Sequence, residues 1–105
     1  LALWAPDGVW QGSGDTARGA DEMRRRVESY RGAGVQGPGS GTRHVSTTRF
    51  VDLLSPDTAR ADSYFVYFAD LPDAPRPARV GRYVDHLVRL DGQWRLSRRQ
   101  IVLDD

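Results

Sequence analysis

A chain of 105 residues suffices for one domain with one core, since roughly 60–65% of the unfolded surface is buried at this size. Charged residues make up 28%, apolar residues 39% and the formal net charge is +1, which excludes both the single-sign field of an electrostatic nucleic-acid binder and the composition of a disordered tail. The lack of cysteine excludes a disulfide framework and thiolate chemistry, the 2 histidines are poor material for a metal site, and no apolar run approaches the roughly 20 residues of a membrane span. The expectation is a single cytoplasmic domain over residues 1–105, without a nucleic-acid or membrane partner.

The opening "LALWAPDGVW" is a short apolar run that stops at Pro6-Asp7-Gly8, and it reads as the tail of a helix whose beginning precedes Leu1. Pro-Asp-Gly is a turn signal, and the apolar-polar alternation of "VWQGS", residues 9–13, predicts a short strand. In "ADEMRRRVESYR", Ala20, Met23, Val27 and Tyr30 recur at helical spacing, Asp21 and Glu22 sit in the first turn, and Gly32 follows the end. One amphipathic helix is predicted there. Arg24, Arg25 and Arg26 turn by about 100° per residue, so they spread over a solvated flank and form no focused basic patch. "GAGVQGPGSG", residues 32–41, is too rich in glycine for an element interior and leads into a strand. The earlier "GSGDTARGADEM" leads into a helix but has no lysine and the wrong spacing for a phosphate loop.

The remainder reads as two β-hairpins. "RHVSTTRFVDLL" and "TARADSYFVYFA" flank "SPD", with Ala59, Ala61, Ser63, Phe65 and Tyr67 on one face and Arg60 and Asp62 on the other. A turn from Leu54 to Asp57 places Tyr67 opposite His44. After the proline-rich link 71–78, "RVGRYVDHLVRL" and "QWRLSRRQIVL" flank Asp91-Gly92, the strongest short-range hairpin signal. With Leu90 facing Gln93, Leu87 lies across from Leu96, Asp85 from Arg98 and Tyr83 from Gln100. One face then holds Gly81, Tyr83, Asp85, Leu87, Trp94, Leu96, Arg98, Gln100 and Val102, the lining of a pocket or core with a charged pair inside. Arg82, Val84, His86, Val88, Arg95, Ser97 and Arg99 fall on the more polar face, where His86 meets solvent or a second subunit.

The order of these elements, above all "TRHVSTTRFV", "DTARADSYF" and "GRYVDHLVRLDGQWRLSRR", resembles the SnoaL-like family of the nuclear transport factor 2-like fold over nearly the whole chain. The resemblance implies an α+β architecture: a curved antiparallel sheet forming a cone, helices on its concave side, and a first helix missing or truncated here. Members include polyketide cyclases, dehydratases, ketosteroid isomerase and epoxide hydrolases, and also the mainly structural β subunits of ring-hydroxylating dioxygenases.

In the dehydratase-like branch a histidine early in the third strand faces the cavity, and His44 stands at the matching position. The resemblance implies cofactor-free acid–base catalysis on a small apolar oxygenated molecule, by an isomerase, dehydratase or cyclase, with His44 as base or acid. Tyr67 would donate a hydrogen bond to the developing oxyanion, and Asp85 with Arg98 would orient the substrate. Trp10, Phe65, Gly81, Tyr83, Leu87 and Gln100 would line the substrate site. Against these stand structural roles: a satisfied strand histidine for His44, an ordinary ion pair for Asp85 and Arg98, and a core position for Trp10. A homodimer is expected whether the domain is an enzyme or a non-catalytic binding or scaffolding subunit. A third outcome is a cone filled by its own side chains.

Overall fold

The computed structural model describes residues 3–12, 14–35 and 39–104, and for residues 48 and 49 the backbone alone. Leu1 and Ala2 of the expected helix tail, Ser13 of the expected first strand and residues 36–38 of the glycine-rich loop lie outside the described residues. The elements are β1 (Trp4–Gln11), β2 (Thr16–Arg18), α1 (Gly19–Gly32), β3 (Arg43–Ser55), β4 (Thr58–Ala69), β5 (Arg76–Leu90) and β6 (Gln93–Leu103). The strands form a six-stranded sheet in the order β2-β1-β6-β5-β4-β3. Every pairing is antiparallel except β1 with β6, which run parallel.

The segment expected to end a helix is a strand instead. Short apolar runs carry no decisive period, and here pairing with β6 decides the conformation: Trp4 faces Leu96, and the Leu96 amide donates to the Leu3 carbonyl at 2.7 Å. Pro6-Asp7-Gly8 does not end β1 but shifts its register between Trp4 and Val9. A Cβ on Gly8 would stand 2.7 Å from the Trp4 ring, so the irregularity needs glycine there.

Helix α1 forms over Gly19–Gly32, containing the expected 20–31, and packs against β1 and β2. Its N-cap residue Arg18 offers no side-chain cap, but the Glu22 carboxylate accepts the Arg18 amide at 3.1 Å. Met23 of the helix is 1% exposed, and Ala5 of β1 and Ala17 of β2 are 4% exposed each. Arg26 departs from the expected solvated flank: it is buried, with its guanidinium turned inward toward β1.

In the first hairpin His44 faces Tyr67 as expected, but by another route. The turn lies at Pro56-Asp57, with Ser55 opposite Thr58, and two register shifts, at Thr48/Phe50 and Leu53/Ser55, bring the pairing back to the expected one. The second hairpin turns on Asp91 and Gly92 at φ 50° and 77°, the conformation an Asp-Gly hairpin turn requires. Strand β5 begins at Arg76, inside the segment expected to be a link.

A bulge at Ser97 corrects the expected register of this hairpin. Leu87 pairs with Leu96 as expected, but His86 pairs with Arg98, Asp85 with Arg99 and Tyr83 with Ile101. The extra residue reverses the face of everything that follows in β6, so Arg98, Gln100 and Val102 leave the face of Asp85, and Arg99, Ile101 and Leu103 replace them. The Ser97 hydroxyl donates to the His86 carbonyl at 3.1 Å, which satisfies a backbone acceptor where the ladder is irregular.

Phe65 is 5% exposed and pairs with Gly81, whose missing side chain makes room for its ring. A Cβ at Gly81 would lie 3.0 Å from two Phe65 ring carbons and 2.4 Å from the Val102 carbonyl oxygen. The Gly81→Ala substitution is therefore expected to destabilise the protein by roughly 1–3 kcal/mol in denaturant titration. A loss within about 0.5 kcal/mol would mean that the ring is not held against the strand.

Candidate functional site

The cleft is built on a row of aromatic rings across β3, β4 and β5. His44 and Tyr67 form a directly opposed cross-strand pair, with ring centroids 4.8 Å apart and planes tilted by 54°. Phe65, two residues before Tyr67 on the same face, lies 6.3 Å from His44 and stacks on Tyr83 at 4.7 Å and 23°. The alternation of β4 makes this possible, because every second side chain from Ala59 to Tyr67 points to one face. These rings leave an open cleft of about 770 Å³, lined on one flank by Trp10, by Tyr30 of α1 and by Val35 just after it.

The imidazole of His44 is partly exposed at the rim, and partial burial lowers its pKa from 6.5, which favours the neutral form at pH 7. Among the described residues no acid or hydroxyl hydrogen-bonds to it; its neighbours are rings. The Tyr67 hydroxyl donates its proton to the Val35 carbonyl at 2.6 Å, so it ties β4 to the segment after α1 and retains lone pairs to accept.

Asp85 and Arg99 form a two-pronged ion pair: the Arg99 Nε and Nη2 donate to Oδ1 and Oδ2 at 2.8 and 2.9 Å. Asp85 is 6% exposed. Burial opposes the Arg99 charge, but the hydrogen bonds and charge of Asp85 outweigh it and raise the Arg99 pKa, so the cation is firmly held. The guanidinium lies 4.1 Å over the Tyr83 ring, and the pair meets the cleft through that ring. Burial raises the Tyr83 pKa, Arg99 lowers it and Asp85 raises it; the net change is upward, and the phenol stays protonated.

Of the expected site residues, the structure brings His44, Tyr67, Trp10, Phe65 and Tyr83 together at the cleft. Gly81 lies beneath Phe65 and leaves room for its ring. Asp85 is on the cleft face with Arg99, not Arg98, as its partner. Arg98 and Gln100 are on the opposite face, where Arg98 hydrogen-bonds Gln11. Leu87 shares the face of Asp85 but lies toward the β5–β6 turn, outside the cleft lining. His86 stands on the face opposite Asp85, as expected, between Arg60 and Arg98.

Sequence reasoning missed Arg99, and a signal for it existed: the apolar positions Trp94 and Leu96 are even, whereas Ile101 and Leu103 are odd, a change of phase that marks an inserted residue. It also missed Arg26, which holds Trp10 in place. The Arg26 guanidinium lies 4.8 Å from the Trp10 ring centroid, donates to the Trp10 carbonyl at 2.8 Å and pairs with Asp15 at 2.9 Å. Trp10 also meets Trp4 at 6.2 Å and Tyr30 edge-on at 6.4 Å. Among the described residues no three His, Asp or Glu side chains gather to hold a metal ion, and no helix is long and apolar enough to cross a membrane.

A search of curated protein sequences finds no match. Among solved structures the chain is similar to a protein of unknown function with a cystatin-like fold from Nostoc punctiforme, at 26% identity and a TM-score of 0.80 over 98% of this chain and 72% of that one. It is also similar to an NTF2-like protein with a cystatin-like fold from Novosphingobium aromaticivorans, at 25% identity and a TM-score of 0.85 over 99% and 66% of the two chains. A ketosteroid isomerase-like protein from Erwinia carotovora atroseptica shares the fold at 19% identity, with a TM-score of 0.76 over 99% and 78%. The chain thus spans 66% to 78% of the length of these structures. The model of the SnoaL-like domain family matches residues 1–100, and with the curved sheet this shows that the chain belongs to that family.

Proposed function

We propose that the cleft binds a flat, mostly apolar, oxygenated small molecule and that His44 moves a proton to or from it without a cofactor. The observation that carries this reading is a partly desolvated imidazole, lowered in pKa, set at the rim of an aromatic cleft of a size suited to such a ligand. The ketosteroid isomerase-like structure of the same fold adds support at the level of fold. The bond broken would be a C–H next to a carbonyl: the imidazole takes the proton, the carbonyl oxygen gains the negative charge, and isomerisation, dehydration or ring closure follows.

Proton–deuteron exchange at the α-carbon of 2-tetralone, a flat bicyclic ketone, tests the reading by NMR. A base must be deprotonated, so exchange is expected to fall on the acid side with an inflection below pH 6.5, the direction in which burial moves His44. The same sign holds for stability. Above 6.5 the histidine is neutral folded and unfolded, and below it the unfolded chain takes the proton first, so the contribution of neutral His44 is lost as pH falls through the folded value. A pH-independent exchange rate between pH 5 and 8 would remove His44 as the base.

The second reading is a binding or scaffolding domain of cytoplasmic location. It is favoured by the lack of an acid or hydroxyl bonded to His44 among the described residues and by the Tyr67 hydroxyl being committed to Val35. Under either reading we assign a homodimer interface to the face opposite the cleft, where Val45, Val66 and Val80 align across β3, β4 and β5, and Val45 and Val80 are 46% and 45% exposed. Sedimentation is expected to give twice the 11.7 kDa of one chain, and Val80→Glu to give the monomer. A wild-type monomer at micromolar concentration would overturn the assignment.

A further inference from the structure

Trp10 stands on β1, across the sheet from His44 on β3, with β6, β5 and β4 between them. The residue is half-buried and lines the cleft, yet its indole N–H is buried and makes no hydrogen bond among the described residues. Its own polar atom therefore does not hold the ring, and packing must. Two rings contribute, Trp4 at 6.2 Å and Tyr30 edge-on at 6.4 Å. A cation supplies a third contact: the Arg26 Cζ lies 4.8 Å from the indole centroid.

Arg26 is not among the residues that line the cleft. Its guanidinium makes three contacts at once: Nη1 donates to the Trp10 carbonyl at 2.8 Å, Nη2 meets the Asp15 carboxylate at 2.9 Å, and Cζ lies over the indole. The side chain is 6% exposed, so water competes little for these contacts. Gly12 makes room for the carboxylate. A Cβ there would stand 2.7 Å from the Asp15 Oδ1, and the Gly12 amide donates to the Asp15 carbonyl at 2.8 Å. Helix α1 thus supplies the cation, β1 the ring and carbonyl, and the β1–β2 connection the carboxylate. We propose that Arg26 is a positioning residue: without touching the ligand, it fixes the plane of Trp10 and so the flat wall on which a ligand ring stacks. The proposal rests on the reading of the cleft as a small-molecule site, and it adds a residue outside the lining on which affinity depends.

Exchange of 2-tetralone, measured as KM and kcat, tests the proposal. Arg26→Lys keeps a cation for Asp15, but an ammonium cannot also bond the carbonyl and lie flat on the indole. KM is expected to rise about three- to tenfold, with kcat within about twofold of wild type because His44 stands on a distant strand. Gly12→Ala reaches the same end from the β1–β2 connection, by pushing the Asp15 carboxylate off Arg26, and serves should Arg26→Lys fold poorly. Trp10→Leu removes the flat wall. On that background Arg26→Lys is expected to raise KM no further, a dependence that a merely structural role for Arg26 would not show. A KM unchanged by Arg26→Lys and by Gly12→Ala, or raised by Arg26→Lys as much without the indole as with it, overturns the proposal while the cleft reading stands. A wild-type protein that neither exchanges nor binds 2-tetralone overturns the two together.

Discussion

Replacing His44 by alanine is expected to lower turnover of an enolisable ketone by about 10²–10⁴ while leaving the fold and ligand affinity nearly unchanged. The fold is expected to survive because His44 is exposed on the edge strand β3 and makes ring contacts, with no hydrogen bond to lose among the described residues. Affinity is expected to survive because Phe65 and Tyr83 remain stacked at 4.7 Å and supply most of the apolar surface for a flat ligand. Turnover is expected to fall because among the described residues no other histidine, aspartate or glutamate at the rings can take its place: His86 faces the other side, Asp85 is tied to Arg99 and Asp15 to Arg26. Tyr67→Phe makes the comparison sharper. It removes the bond to the Val35 carbonyl but keeps the ring beside His44, so a modest effect on turnover with lower stability fits an anchoring role. If His44→Ala turns over as fast as wild type in a folded protein, the proton-transfer role is lost and the binding-domain reading takes its place.

Local signals were sufficient where the element is set by its own residues. Helical spacing from Ala20 to Tyr30 gave α1 to within a residue at each end, and the segments read as 58–69 and 93–103 match β4 and β6 at both ends. Asp91-Gly92 set the first rungs of its hairpin because the turn dictates them. Legibility failed where a distant partner decides. Strand β1 owes its conformation to a parallel neighbour more than 80 residues away, which no local apolar count contains. The burial of Arg26 follows from a carbonyl and a ring on β1, which its position in a run of arginines does not reveal. The site was read in the same proportion: His44 and Tyr67 were paired correctly because two register shifts in β3 restored the expected pairing, whereas one bulge in β6 exchanged Arg98 for Arg99.

That exchange sets the second large effect, the loss of the Asp85 carboxylate. Asp85→Ala is expected to destabilise the protein by about 3 kcal/mol, because it strands a partly buried guanidinium whose cation was held by two hydrogen bonds. The Arg99 side chain is 31% exposed, so water relieves part of the loss and the figure sits at the low end for a broken buried pair. For a domain of this size the melting temperature should drop by roughly 10–20 °C. The effect should also reach the cleft, since Arg99 lies on Tyr83 and Tyr83 stacks on Phe65: ligand affinity falls along with stability. Removing both charges at once, with Asp85→Leu and Arg99→Met, should recover much of the stability, because the isolated charge is what costs most. Arg98→Ala is the decisive control. It removes a contact with Gln11 on the opposite face, and it is expected to cost under about 1 kcal/mol. An Arg98→Ala variant as unstable as Asp85→Ala, beside a stable Arg99→Ala, would restore the uninterrupted register and place Arg98 back inside the cone.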